Sequence, residues 1–177
     1  MKATEMKAEV KGTGVEVEAN PQGQKANTNG QRLEDRVESA LRKLGVSFIQ
    51  HRDYSPGNFS TKSFCVKNAP HITPYGGRGR HEFELHNVVP GRVRIECRAQ
   101  YVAGTADEKL LYLFESVLIG AENVAWIIFD GDGFKAGAKE TIRKKAEAVK
   151  HKKIKVFNSF KHWESWINVV LGTHSIG

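Results

Sequence analysis

Glu82, Glu96 and Arg98 are the residues whose types and spacing most directly suggest chemistry. The stretch RIECRAQYVAGTADEKL (94–110) puts Glu96, Arg98 and Gln100 on alternate positions of an apolar run, then breaks at a glycine before a segment carrying Lys109. With its upstream neighbour, HEFELHNVVPGRVRIECRAQ (81–100) reads as two strands joined around Pro90-Gly91. In the first, His81, Phe83 and Leu85 point one way and Glu82 and Glu84 the other. In the second, Val93, Ile95, Cys97 and Ala99 share one face, and Arg94, Glu96, Arg98 and Gln100 the opposite one.

Cross-strand neighbours lie only ~5 Å apart. Carboxylates that close repel unless a cation joins them, and hard oxygen ligands suit Mg²⁺. Such an ion lowers the pKa of a water and stabilises charge on a phosphate in transfer. Arg98, two residues from Glu96, would neutralise the developing negative charge. On this reading the strand pair is a phosphodiester-hydrolysis site. On the plainer one, these are solvent-facing residues of an antiparallel hairpin with cross-strand Glu/Arg pairs. The pattern by itself admits both.

The elements that must position these residues follow from periodicity. RLEDRVESALRKLG (32–45) places Leu33, Val37, Ala40, Leu41 and Leu44 at helical spacing, with Gly45 as a stop. VSFIQHRDY follows as a short strand, and Ser55 to Arg80 reads as loop, punctuated by Pro56, Pro70 and Pro74. TADEKLLYLFESVL (105–118) is a helix with Thr105 and Glu108 at capping-box spacing. NVAWIIFD (123–130) is the apolar run of a strand covered on both sides. A basic helix over roughly 136–150, a strand at KIKVFNSF and an amphipathic helix at FKHWESWINVVL complete the chain. The order is helix, three strands, helix, strand, helix, strand, helix, which predicts a mixed α/β sheet flanked by helices. Residues 1–31 read as a polar tail or a short edge hairpin at VEVEA, and 32–177 as one α/β domain.

Composition narrows the class. With 40% hydrophobic and 27% charged residues, the 177-residue chain is that of an ordinary globular protein. No apolar run approaches the roughly 20 residues a membrane span needs, and MKATEMKAEVKGTG lacks the apolar core of a secretory signal. Cys65 and Cys97 stand alone, without a CxxC pair, so a cytoplasmic setting is expected. The net charge is +7. Much of it sits in IRKKAEAVKHKKIK (142–155), which holds Arg143, Lys144, Lys145, Lys150, Lys152, Lys153 and Lys155. Such a run can neutralise several phosphates, or simply form a solvated helix face.

Taken in order, LED..V..AL..LG (33–45), YGGRGRHEFEL (75–85), IECRAQYVAGTADEKLLYL (95–113), IIFDGDGFKAGA (127–138) and VFNSFKHWESW (156–166) resemble the PD-(D/E)xK nuclease superfamily. The similarity is greatest to its small phage and mobile-element members with a G-[ST]-x-DEK element after the catalytic strand, and it covers roughly residues 30–170. It implies a restriction-endonuclease-like αβββαβ core with a central mixed sheet. It also implies a Mg²⁺-dependent DNA endonuclease, with Mn²⁺ able to substitute, in the host cytoplasm if phage-encoded. The acidic residue of the first helix corresponds to Glu34, and that of the second strand to Glu82, with Glu84 as the fallback. The Glu of the motif is Glu96, and the polar residue two positions after the motif is Gln100. Glu34, Glu82 and Glu96 would hold the metal. The motif lysine is replaced by Arg98, which keeps the charge but cannot serve as a base. Lys109 offers a cation from the next helix.

For DNA, Arg78, Arg80 and His81 in the Gly-rich stretch could clamp phosphates, and Arg143, Lys144, Lys145, Lys150, Lys152 and Lys153 could track the backbone. The other class of reading is a catalytically impaired nuclease fold that binds DNA or serves assembly. Asp130 and Asp132 in DGDG lack the twelve-residue calcium-loop pattern and read as a strand-to-helix turn. Trp126, Trp163 and Trp166 read as core. WESWINVVL is apolar enough for a homodimer interface or a core helix.

Overall fold

The computed structural model describes residues 21–57, 62–103 and 107–172. Helix α1 (Pro21–Lys43) is followed by β1 (Ser47–Gln50), a 3₁₀ turn at His51–Asp53, β2 (Phe64–Ile72), β3 (Arg78–His86) and β4 (Val93–Ala99). Then come α2 (Asp107–Ile119), β5 (Val124–Asp130), α3 (Ala136–Ala148), β6 (Lys153–Phe157) and α4 (Phe160–Gly172). The strands form one sheet in the order β1-β2-β3-β4-β5-β6. β1 is parallel to β2, β2-β3-β4 are antiparallel, and β4-β5-β6 are parallel. This is an α/β restriction-endonuclease-like fold.

Each face of the sheet has its own core. Val93, Ile95, Cys97, Trp126 and Ile128 pack with Leu33, Val37 and Leu41 of α1 and with Trp163 and Ile167 of α4. Ala125, Ile127 and Phe129 pack with Leu110, Leu113, Phe114 and Val117 of α2 and Ile142 of α3. Leu33, Val37 and Leu41 are fully buried, a contribution of about 1.5–3 kcal/mol for each leucine or valine. They dock α1 across the sheet and so carry Glu34 towards it. The helix stops where Gly45 takes φ +81 and the Val46 N–H turns back to Leu41 O at 3.1 Å. Trp126 and Trp163 are core residues, and Trp166 packs against them.

Two expectations need correction. The segment 64–72, expected as loop, is the nine-residue strand β2. Pro70 is the residue there that reads as loop, and Asn68 takes φ 56 within the strand. Only Phe64–Lys67 pair with β1; from Ala69 onward β2 pairs with β3 alone, and a strand bordered on one side tolerates proline. Helix α1 also begins at Pro21, within the stretch expected to be polar tail. The VEVEA segment and the Thr105 cap lie outside the described residues.

Candidate active site

The ladder between β3 and β4 runs from Leu85–Val93 to Phe83–Ile95. One step further Glu82 stands opposite Glu96, and there side chains replace backbone pairing. The Cys97 N–H donates to Glu82 Oε2 at 3.4 Å. Arg98 lies between the carboxylates, its Nη1 2.6 Å from Glu82 Oε1 and its Nη2 2.9 Å from Glu96 Oε2. Nη1 also donates to the Cys97 carbonyl at 2.6 Å.

Glu96 is bound from below as well. Arg94 Nε donates to its Oε1 at 2.7 Å, and Arg94 Nη2 reaches the same oxygen. Arg94 is 1% exposed and Glu96 1%. The remaining donors of Arg94 go to Ser116 of α2, Nη1 to the carbonyl at 3.0 Å and Nη2 to Oγ at 2.9 Å. Ser116 Oγ in turn lies 2.9 Å from His71 Nε2 on β2. A buried guanidinium with all three nitrogens engaged thus fixes one oxygen of Glu96 and leaves the other to face Arg98. Arg94 was visible in sequence only as a neighbour on Glu96's face; its partner in α2 was not.

Burial pushes up the pKa of both strand carboxylates, and the outcome differs between them. At Glu82 the charge and hydrogen bond of Arg98 outweigh burial and hold it below the usual carboxylate range. At Glu96 burial and the neighbouring Glu82 charge prevail and raise it. The two behave as one unit in which ionisation of one discourages the other. Glu34, half-buried on α1, is raised to about 6 by burial and then by Glu82, against Arg98 and Lys67.

A carboxylate whose folded pKa is raised stabilises the fold below its ordinary pKa of 4.5 and loses that contribution as pH climbs through about 6. Metal-free protein is therefore expected to lose stability from Glu34 between pH 4.5 and 6, and Glu34→Gln to flatten that part of the profile. Urea melts across this range in EDTA check it; an unchanged slope in the variant would refute it.

The other expected site residues are placed as follows. Gln100 turns away from the carboxylates: its Nε2 donates to Gly133 O at 2.9 Å, while its Oε1 is buried without a hydrogen-bond partner. Lys109 is exposed on α2 and forms no ion pair with these carboxylates. Glu84 is buried in a separate group, 2.8 Å from His86 Nε2 and 3.3 Å from Arg92 Nη1. Asp130 is a cross-link, accepting from Arg36, Tyr101 and the Phe160 N–H.

Among the expected DNA contacts, Arg78 and Arg80 are exposed, on strand β3 rather than in a loop. His81 is 0% exposed, so it cannot be a surface phosphate ligand. Lys152 is likewise removed from the basic surface: it is buried, and its Nζ donates to the carbonyls of Val117 and Gly120 at 2.5 and 2.7 Å, closing the end of α2. Lys144, Lys145, Lys150 and Lys153 are exposed. Arg143 is held by Glu140 and Glu147.

The domain model of the PD-(D/E)XK nuclease superfamily matches residues 25–170. The chain belongs to that superfamily: it carries a nuclease domain of a class that generally depends on a divalent metal and acts on nucleic acid. Searches of curated proteins and of solved structures return no significant match. No helix among the described residues is long and apolar enough to cross a membrane.

Proposed function

We propose that the chain is a Mg²⁺-dependent DNA endonuclease, with Mn²⁺ able to substitute, and that Glu82, Glu96 and Arg98 form the centre of its active site. The observation that carries this reading is the pair of strand carboxylates meeting on one guanidinium where β3 and β4 part. Two carboxylates drawn together call for a cation, and Arg98 lies between them. The raised pKa values of Glu34 and Glu96 express the same demand. Glu82 and Glu96 offer the oxygen donors a hard divalent ion takes and would hold it; Glu34 on α1, close enough for the Glu82 charge to raise its pKa, would move in to complete the set. Bound there, the ion would supply a water of lowered pKa and charge neutralisation at the phosphate.

The chain's own contribution is positioning and charge. Arg94 fixes Glu96 so that one oxygen faces the site. Arg98, 35% exposed, is free to exchange its carboxylate partners for phosphate oxygens when DNA arrives, where a planar guanidinium binds in two-pronged fashion. Arg98 acts as a fixed cation and not as a base, because guanidinium does not give up its proton near neutral pH. Arg78, Arg80 and the exposed lysines 144, 145, 150 and 153 would contact the backbone.

Incubating the protein with supercoiled, single-stranded and branched DNA in Mg²⁺, Mn²⁺ or EDTA tests the proposal. Cleavage that appears with Mg²⁺ and vanishes in EDTA is expected. Arg98→Ala is expected to lower the rate by roughly 10²–10³-fold, the usual effect of removing one charge-stabilising donor, while Arg98→Lys retains cleavage. Binding without divalent-dependent cleavage on every substrate would favour the non-catalytic DNA-binding reading instead. Equal cleavage by Arg98→Ala would remove Arg98 from the chemistry.

A further inference from the structure

The polar layer between the sheet and α2 continues past Glu96. His81 and Glu84 of β3, and Glu122 of the turn between α2 and β5, bring one ligand atom each to within 4.8 Å of one another. All three are buried, at 0%, 5% and 3% exposure. Neither His81 Nδ1 nor Nε2 has a hydrogen-bond partner, and neither does Glu122 Oε2. His81 Nε2 lies 3.7 Å from Glu84 Oε2, too long for a hydrogen bond.

Unsatisfied buried groups are expensive, roughly 1–3 kcal/mol each and more when charged. Here the His81 imidazole and the Glu122 Oε2 atom stand near each other with neither partnered, and both are acceptors once the imidazole presents a lone pair. Two acceptors of this kind are completed by a shared proton, a water or a cation. A Cβ at Gly120 would lie 2.4 Å from Glu122 Oε2, so a larger residue there would push this carboxylate aside. Lys152 pins the same turn by donating to Gly120 O. Of the positive groups nearby, Arg94 is engaged with Glu96 and Ser116 and Lys152 with carbonyls, while Arg92 and His86 pair with Glu84 itself and leave His81 and Glu122 Oε2 unpartnered.

We propose that His81, Glu84 and Glu122 form a second metal site, structural in role, for a borderline cation such as Zn²⁺. One imidazole nitrogen and two carboxylates are a donor set for Zn²⁺ rather than for Mg²⁺, which prefers oxygen throughout. The ion would tie β3 to the α2–β5 turn. It differs from the Glu82–Glu96 pair in chemistry, because that pair offers only oxygen, and it does not depend on nuclease activity.

Untagged protein, stripped with EDTA and titrated with Zn²⁺ or Co²⁺, tests it. The expected results are one tightly held Zn²⁺ per chain by elemental analysis, a raised melting temperature, and an imidazole signature in the X-ray absorption spectrum of the Co²⁺ form. Glu122→Gln is expected to weaken Zn²⁺ by more than the roughly 10- to 100-fold that loss of an outer partner costs, with the circular dichroism spectrum unchanged. Glu96→Gln is expected to leave the imidazole-bound ion in place. The proposal is overturned by Zn²⁺ affinity that Glu122→Gln does not change, by an ion held through oxygen alone, or by no retained metal. If His81→Ala fails to fold, the wild-type spectrum and Glu122→Gln still decide. Absence of DNA cleavage would count against the proposed function and leave this site standing.

Discussion

Glu96→Gln is expected to lower divalent-dependent DNA cleavage by at least roughly 10²–10³-fold, the scale on which one preorganised electrostatic group acts. The substitution keeps the shape and removes the charge. It also disturbs both guanidinia, because Oε1 accepts from Arg94 and Oε2 from Arg98. An amide offers a single acceptor oxygen, and its NH₂ would face one of these donors. With the charge gone, the site would hold a divalent ion through Glu82 and Glu34 alone. The loss should therefore appear as a higher Mg²⁺ requirement as well as a lower maximal rate, read from plasmid cleavage across a Mg²⁺ titration. A loss of less than about tenfold at saturating metal would exclude Glu96 from the ligand set, since the removed charge would then have stabilised nothing in the transition state.

The second large effect is on stability. Arg94→Met is expected to destabilise the protein by about 3–5 kcal/mol, the cost of leaving one member of a buried ion pair behind. In a domain of this size that lowers the melting temperature by about 10 °C. The reason is local: Arg94 is 1% exposed, and its removal takes the partner from buried Glu96 Oε1, leaving Arg98 alone on that carboxylate, and removes the donors to the Ser116 carbonyl and hydroxyl. A paired replacement, Arg94→Met with Glu96→Leu, is expected to recover much of the loss, because apolar side chains remove both desolvated charges. Calorimetric or urea melts of the two single variants and the double variant check this. An Arg94→Met protein within about 1 kcal/mol of the parent would mean that water replaces the guanidinium and that the layer is wetter than the geometry indicates.

The two strand carboxylates were legible because a strand has a period of two and a Pro-Gly turn sets a short hairpin. Those rules put Glu82 near Glu96 without any knowledge of the fold. Glu34 was not legible that way: nothing local in a helix states which strand it will approach, and only the resemblance to a nuclease family singled it out. Strand β2 was hidden because its proline reads as loop, and Pro70 is tolerable because the four-residue β1 ends opposite Lys67 and does not reach it. In the basic run 142–155, Lys152 is the residue that burial removes from the expected DNA contacts. Charge counting cannot distinguish Lys150 and Lys153, which face solvent, from Lys152, which turns inward to carbonyls of another element.

Sequence alone therefore determined the class of protein, the α/β layering, the helix carrying Glu34 and the alternation that puts Glu82, Glu96 and Arg98 on polar faces. The class rests on the resemblance of five ordered motifs to a nuclease family; the layering and the alternation rest on local periodicity, which survives without neighbours. The tertiary structure decided what those polar residues do to one another. It put Arg98 between two carboxylates, seated Arg94 on Ser116, buried His81 and brought Glu122 to β3. Each of these depends on contacts between elements far apart in the chain, where burial removes water and leaves a charge to be satisfied only by whatever the fold brings beside it.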